Sequence, residues 1–160
     1  MSRKEEDHLY PLEILQQAGL RPTTQRVAIL QFMIDEKRHW TADELFHQMR
    51  GSVPTLSLAT VYNTLKAFVE SGVLKELTFG DAASRFDLNV SPHHHMVCDQ
   101  CGKLQDIYLE EVPVDWIQEA EKDHQFYTKD IQIELHGLCQ QCFQLQVADS
   151  FKRTLGTTEA

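Results

Sequence analysis

Apolar positions follow a helical period through the first half of the chain. A first helix is predicted over Tyr10–Ala18, stopped by Gly19. Thr23 can cap a second, with Leu30, Phe32 and Met33 among its apolar positions. Thr41 precedes a third, ADELFHQMR, which ends at Gly51. Ser57 opens a fourth, SLATVYNTLKAFVESG, which ends at Gly72. Two strand-like runs follow, VLKELTF and SRFDL, joined through Gly80 and Asp81. Helices followed by such a hairpin make a winged helix-turn-helix pattern.

The second half is patterned differently. HHHMVC reads as a strand, then comes a Cys-x-x-Cys knuckle, then KLQDIYL as a second strand. Pro113–Gln125 reads as a helix with proline near its first turn. DIQIELHG reads as a third strand leading into a second cysteine pair, and a short helix is expected after it. Residues from Lys152 are expected to fray. The fold class is therefore α+β. A winged-helix domain is expected over residues 1–88, a hinge over 89–92 and an α/β domain over 93–150, with a flexible tail over 151–160.

Composition narrows the function. A hydrophobic fraction of 42% excludes wholesale disorder. There is no apolar run long enough to span a bilayer, and MSRKEEDHLY lacks the apolar core of a signal peptide. A cytoplasmic protein is the expectation. The net charge of −9 at first argues against DNA. Residues 1–88, however, hold ten basic and twelve acidic residues, whereas residues 89–160 hold five and twelve. Acidity is concentrated in the second half, so the first can still present a local basic face to phosphate.

On the fourth helix, at about 100° per residue, Val61, Leu65, Phe68 and Val69 gather on the core side. Ala59, Thr60, Asn63 and Lys66 gather opposite. The small residues allow close approach to a groove. Asn63 can pair with adenine and Lys66 can meet phosphate. Tyr62, on the flank, can touch either the backbone or a thymine methyl. Arg85 on the wing is a candidate backbone contact. Periodicity alone favours an ordinary amphipathic surface helix; the preceding helices and the hairpin turn the reading towards DNA.

The four cysteines form two Cys-x-x-Cys pairs, Cys98/Cys101 and Cys139/Cys142, with 37 residues between them. Four thiolates suit a closed tetrahedral zinc, structural rather than catalytic. Unrelated thiols or a redox pair would not require such strict pairing. The zinc would tie the first strand of the second half to its last.

Residues 93–95 are three histidines. On a strand His93 and His95 share a face, while His94 points away with Met96 and Cys98. Asp87, Asp106 and His39 complete a set drawn from both halves. Taken singly, each would read as a solvated polar group, and His8, His47, His124 and His136 are read that way or as local partners. Together, three imidazoles and two carboxylates suit iron(II), manganese, cobalt or zinc. A metal held by both halves would fix the angle between them, which makes a switch.

GLRPTTQR, HWTADELF, SLATVYNTL, GDAASRFD, HHHMVCDQCGK and HGLCQQC occur in the order of the ferric uptake regulator family, which the chain resembles over roughly residues 10–145. The resemblance implies a homodimer with a C-terminal dimerisation domain that binds a palindromic double-stranded operator when metal-loaded. It implies a regulatory site at His39, Asp87, His93, His95 and Asp106, and structural Zn2+ at Cys98, Cys101, Cys139 and Cys142. Asp87 and Asp106 stand where the iron-sensing branch commonly has Glu, and Asn63 where it often has Arg. Pro92 and His94 stand where an additional His/Asp site would be expected. The chain is thus most similar to the peroxide-responsive branch. That branch implies Fe2+ or Mn2+ as regulatory metal and release from DNA when peroxide oxidises His39 or His93. Regulation of this kind involves no turnover, so the chain is not read as an enzyme and no organic substrate is expected. The rivals are an iron-uptake or other metal-responsive repressor, a non-haem iron enzyme built on two His and a carboxylate, and a zinc-ribbon scaffold.

Overall fold

The computed structural model describes residues 10–78, 83–109 and 115–155, with side chains described as far as residue 147. The chain divides into two compact units, Met1–Ser91 and Pro92–Ala160.

The first unit is built from four helices and a hairpin: α1 (Pro11–Gln17), α2 (Thr24–Glu36), α3 (Ala42–Met49), α4 (Leu58–Glu70), β1 (Lys75–Leu77) and β2 (Arg85–Asp87). Each start has a local cause. Pro11 lies at the first turn of α1, where its missing N–H costs nothing. Thr23 accepts the Arg26 N–H at 3.3 Å, and Ser57 accepts the Thr60 N–H at 3.1 Å. α3 opens on a full capping box: Thr41 Oγ1 accepts the Glu44 N–H at 3.1 Å while Glu44 Oε2 accepts the Thr41 N–H at 3.0 Å. Gly19 and Gly72 follow helix ends with φ of +70° and +74°, where a side chain would be strained.

The core of this unit joins Leu15, Ile29, Leu30, Met33, Leu45, Val61, Leu65 and Phe68 with Trp40 and Phe86. Burial on α4 falls on Val61, Thr64, Leu65 and Phe68, the side expected to face the core; Val69 is half-buried against it. β1 and β2 pair antiparallel, with Lys75 opposite Asp87. They are shorter than the runs read from sequence, and the connection expected at Gly80 and Asp81 lies outside the described residues. On its other edge β2 pairs with Trp40: each of Trp40 and Phe86 donates its N–H to the other's carbonyl, at 3.3 and 2.8 Å. That antiparallel register sets residue 39 opposite residue 87.

The second unit holds β3 (His94–Cys98), β4 (Leu104–Ile107), α5 (Asp115–His124), β5 (Glu134–Gly137) and α6 (Gln140–Leu155). Its sheet has the order β4-β3-β5; β3 is antiparallel to β4 and parallel to β5. The strand expected over residues 130–137 pairs only from Glu134 onward. α6 is not the short helix expected; it runs 16 residues and continues through Leu155, past the point where fraying was anticipated. Pro113 lies outside the described residues, and the helix begins at Asp115. Among the described residues no helix is long and apolar enough to cross a membrane.

The Thr41 cap carries a direct test. Thr41→Ala removes the acceptor for the Glu44 N–H and should lower unfolding stability by about 1 kcal/mol. Urea unfolding of the full chain measures this; an unchanged midpoint would show that the box contributes nothing.

Candidate metal centres and nucleic-acid face

The parallel register of β3 and β5 brings the cysteine pairs together. Cys98 ends β3 and faces Gly137 at the end of β5, so both knuckles leave the same edge of the sheet. Asp99 N–H donates to Gly137 O at 2.8 Å and fastens the two ends. The first knuckle closes through Gly102, whose N–H bonds Cys98 O at 2.8 Å and whose φ of +68° suits glycine. One ligand atom from each of Cys98, Cys101, Cys139 and Cys142 lies within 4.8 Å of the others, and none of the four is in a disulfide.

The spacing and the protonation both fit a dication. Cys101 Sγ and Cys139 Sγ are 3.8 Å apart. Thiolates about 2.3 Å from a tetrahedral centre are separated by about 3.8 Å. The Cys139 N–H donates to Cys98 Sγ at 3.2 Å; this bond first, then the Cys101 N–H, brings the Cys98 thiol down to about 6. Cys139 is also lowered, chiefly by the Cys142 N–H. Cys142 is pushed up to about 12 by its contact with the Cys139 sulfur and by burial. Four adjacent sulfurs cannot all carry charge alone. A closed dication site would remove that conflict and release the remaining protons. Beside the knuckle, His136 Nδ1 meets Asp99 Oδ1 at 3.1 Å, which raises the imidazole above its ordinary value.

The candidate regulatory residues fall into two groups, one in each unit. In the first, His39 Nε2 lies 3.4 Å from Asp87 Oδ2, as the Trp40–Phe86 pairing requires. Asp87 Oδ1 accepts the Asn89 N–H at 2.8 Å, which orients the carboxylate. In the second, His95 stands directly across from Asp106 on β4. His93 and His95 lie 3.7 and 3.9 Å from Asp106 Oδ1, and their rings sit edge to face at 4.5 Å. These separations are longer than a good hydrogen bond. Neighbouring ligands about 2.1 Å from one ion lie about 3.0–3.6 Å apart, so both groups are close to ligand spacing. Strand alternation also settles His94. It points away from this group and is buried, and its Nδ1 accepts the Ile133 N–H at 3.3 Å.

On α4, Ala59, Tyr62, Asn63 and Lys66 are exposed and Thr60 is half-exposed. Lys66 Nζ is 3.9 Å from Glu70, and both side chains are largely in solvent, so the lysine stays available. Thr60 is partly committed to the cap: its hydroxyl lies 2.7 Å from Ser57 Oγ. Arg85 departs from expectation. It is not a free wing cation; its Nη1 donates to His39 O at 3.0 Å and to Glu44 Oε2 at 3.2 Å, and its side chain is 20% exposed. Two contacts were missed from sequence. Glu44 joins cap and wing, and the Tyr62 hydroxyl donates to Asp43 at 2.9 Å. Glu44 follows Thr41 at capping-box spacing and could have been found; the Asp43 pairing, 19 residues away, left no local signal.

Comparison with known proteins agrees with this architecture. The model of the ferric uptake regulator family matches residues 17–136. The peroxide operon regulator of Bacillus subtilis is 43% identical over 134 residues, covering 82% of this chain and 90% of that protein. The peroxide-responsive repressor PerR of Staphylococcus aureus is 41% identical over 132 residues, covering 80% and 86%. The solved ferric uptake regulator of Vibrio cholerae superposes with a TM-score of 0.66 at 28% identity, covering 79% of this chain and 98% of that one. This chain belongs to the ferric uptake regulator family, a family of metal-responsive transcriptional regulators and not of enzymes.

Proposed function

We propose that the chain is a homodimeric repressor that binds a palindromic operator when loaded with iron(II) or manganese(II), and that peroxide releases it by oxidising a ligand histidine. The observation that carries this reading is the donor set: three imidazoles and two aspartates, at ligand spacing within each unit. Neutral nitrogen with carboxylate oxygen suits first-row divalent ions. His39, Asp87, His93, His95 and Asp106 would share one ion, which therefore favours one arrangement of reader and dimerisation domains. Similarity to two peroxide regulators supports the peroxide arm. Iron(II), when bound, would supply the one-electron chemistry that activates peroxide. Overall, the imidazole of His39 or His93 would be the two-electron reductant: it would gain one oxygen atom, the other peroxide oxygen would leave as water, and the oxidised ring would be a poorer ligand.

The second unit is suited to a partner copy. Tyr108, Trp116, Phe126, Tyr127, Leu135 and Phe143 are all exposed, and every residue of β5 is exposed. Exposed apolar surface on this scale favours association. Structural zinc at the four cysteines would hold the scaffold of that surface. Cys98→Ser should lose zinc and weaken the dimer. Metal analysis with sedimentation checks both; full zinc with an unchanged dimer would refute the structural site.

Ala59, Thr60, Tyr62, Asn63 and Lys66 form the proposed reader face; Arg85, bound to Glu44, is left out of it. Asn63→Ala should cost about 1–3 kcal/mol on a preferred duplex. Lys66→Ala should weaken all duplexes evenly and flatten the salt dependence. Unchanged affinity and unchanged sequence preference in Asn63→Ala would mean that another face reads DNA.

The aspartate at position 106 tests the peroxide arm. Asp106→Ala removes an anionic ligand, so metal affinity and DNA binding should both fall. Asp106→Glu should keep metal-dependent binding but slow the gain of one oxygen on a ligand histidine. Mass spectrometry after an anaerobic iron load and a peroxide pulse reads that gain. Oxidation of Asp106→Glu as fast as the parent would remove the shorter carboxylate from the explanation. No oxidation in the parent would leave a metal-responsive repressor without a peroxide arm.

A further inference from the structure

The first turn of α3 carries two carboxylates with different commitments. Glu44 turns inward to the Thr41 N–H and to Arg85 on β2. Asp43 is exposed and accepts the Tyr62 hydroxyl at 2.9 Å. Tyr62 is the large exposed hydrophobic side chain of α4, 48% exposed, next to Asn63 and four residues before Lys66. A tyrosine so exposed would ordinarily sample several rotamers. One charge-assisted hydrogen bond to a neighbouring helix removes most of that freedom.

The bond also decides what Tyr62 can offer. A phenol has one O–H to donate, and here it goes to Asp43. Phosphate oxygens only accept, so the hydroxyl cannot bind a phosphate while this bond lasts. The Asp43 charge beside it opposes phosphate approach as well. The ring faces and edge remain for contact. The phenol is held above its ordinary pKa, chiefly by the bond to Asp43, so the donor proton stays in place.

We propose that Asp43 is a positioning residue for DNA specificity: it pins Tyr62 so that the ring, and not the hydroxyl, faces the duplex. This rests on the reading of α4 as the DNA reader.

The test uses the full chain with zinc and manganese(II). A preferred duplex is first selected from a random pool, and an unrelated duplex of equal length serves as reference. Asp43→Ala should lower the preference for the selected duplex about fivefold, the scale of one lost hydrogen bond. Part of that change is tighter binding to the unrelated duplex, because a charge is lost and a hydroxyl is freed. Tyr62→Phe should lower that preference by a similar factor. The double variant should weaken it no further than either single change, because both break one interaction. Asp43→Asn keeps an acceptor and should stay within about twofold of the parent on the selected duplex, which separates the bond from the charge. Ring signals of labelled tyrosine should move in Asp43→Ala and hold in Asp43→Asn. Multiplying losses in the double variant, or an unchanged preference in Asp43→Ala, would overturn the proposal. If Tyr62→Ala and Asn63→Ala also leave the preference unchanged, the reader assignment falls with it; if those two lower it and Asp43→Ala does not, only the pinning role falls.

Discussion

Parallel pairing of β3 with β5 is the interaction on which the second unit depends. Parallel strands place like ends together, so the knuckle after β3 and the knuckle after β5 emerge side by side. An antiparallel pair would have sent them to opposite edges. The unit has little apolar core to hold this arrangement: among its described apolar residues, Ile117, Cys98 and Cys142 are the buried ones. Small cores seldom stabilise a fold unaided, and a structural metal is one common remedy. The sulfur cluster occupies the place where such a metal gains most, where two distant segments of chain must be held together.

The first unit solves a different problem, the aiming of surface groups. Its core is continuous and its helix caps are satisfied locally. What remains is to fix the wing and the reader against α3. The Trp40–Phe86 pairing and the Arg85 contacts lock β2 beside the start of α3. His39 and Asp87 are brought together by the same pairing. The segment around α3's first turn therefore serves the proposed metal ligands and the proposed DNA face at once.

Aspartate at positions 87 and 106 has a geometric consequence for the proposed metal site. A short side chain holds its carboxylate close to the backbone, so strand register sets its position. Asp106 lies directly across from His95 in that register, and Asp87 is further fixed by the Asn89 N–H. If these aspartates hold an ion as proposed, side chains fixed this way would have little freedom to follow it.

Local patterning was enough for most of the fold. Helix periods, Thr23, Thr41 and Ser57 as caps, and the paired cysteines are short-range signals, because helix spacing and capping act within a few residues. Alternation along β3 likewise separated His93 and His95 from His94 before any partner was known. The strand before the second knuckle was read too long: residues 130–133 alternate as a strand does, but the register with β3 begins at Glu134, reached through the Ile133 carbonyl, which accepts the His95 N–H at 3.1 Å. The tertiary structure alone decided that Arg85 is committed to Glu44 and His39, that Tyr62 is tied to Asp43, and that β5 runs parallel to β3. Each of these joins residues at least 19 positions apart. The physical reason is that local spacing sets which face of an element is apolar, while a side chain's hydrogen-bond partner is determined by which elements pack beside it.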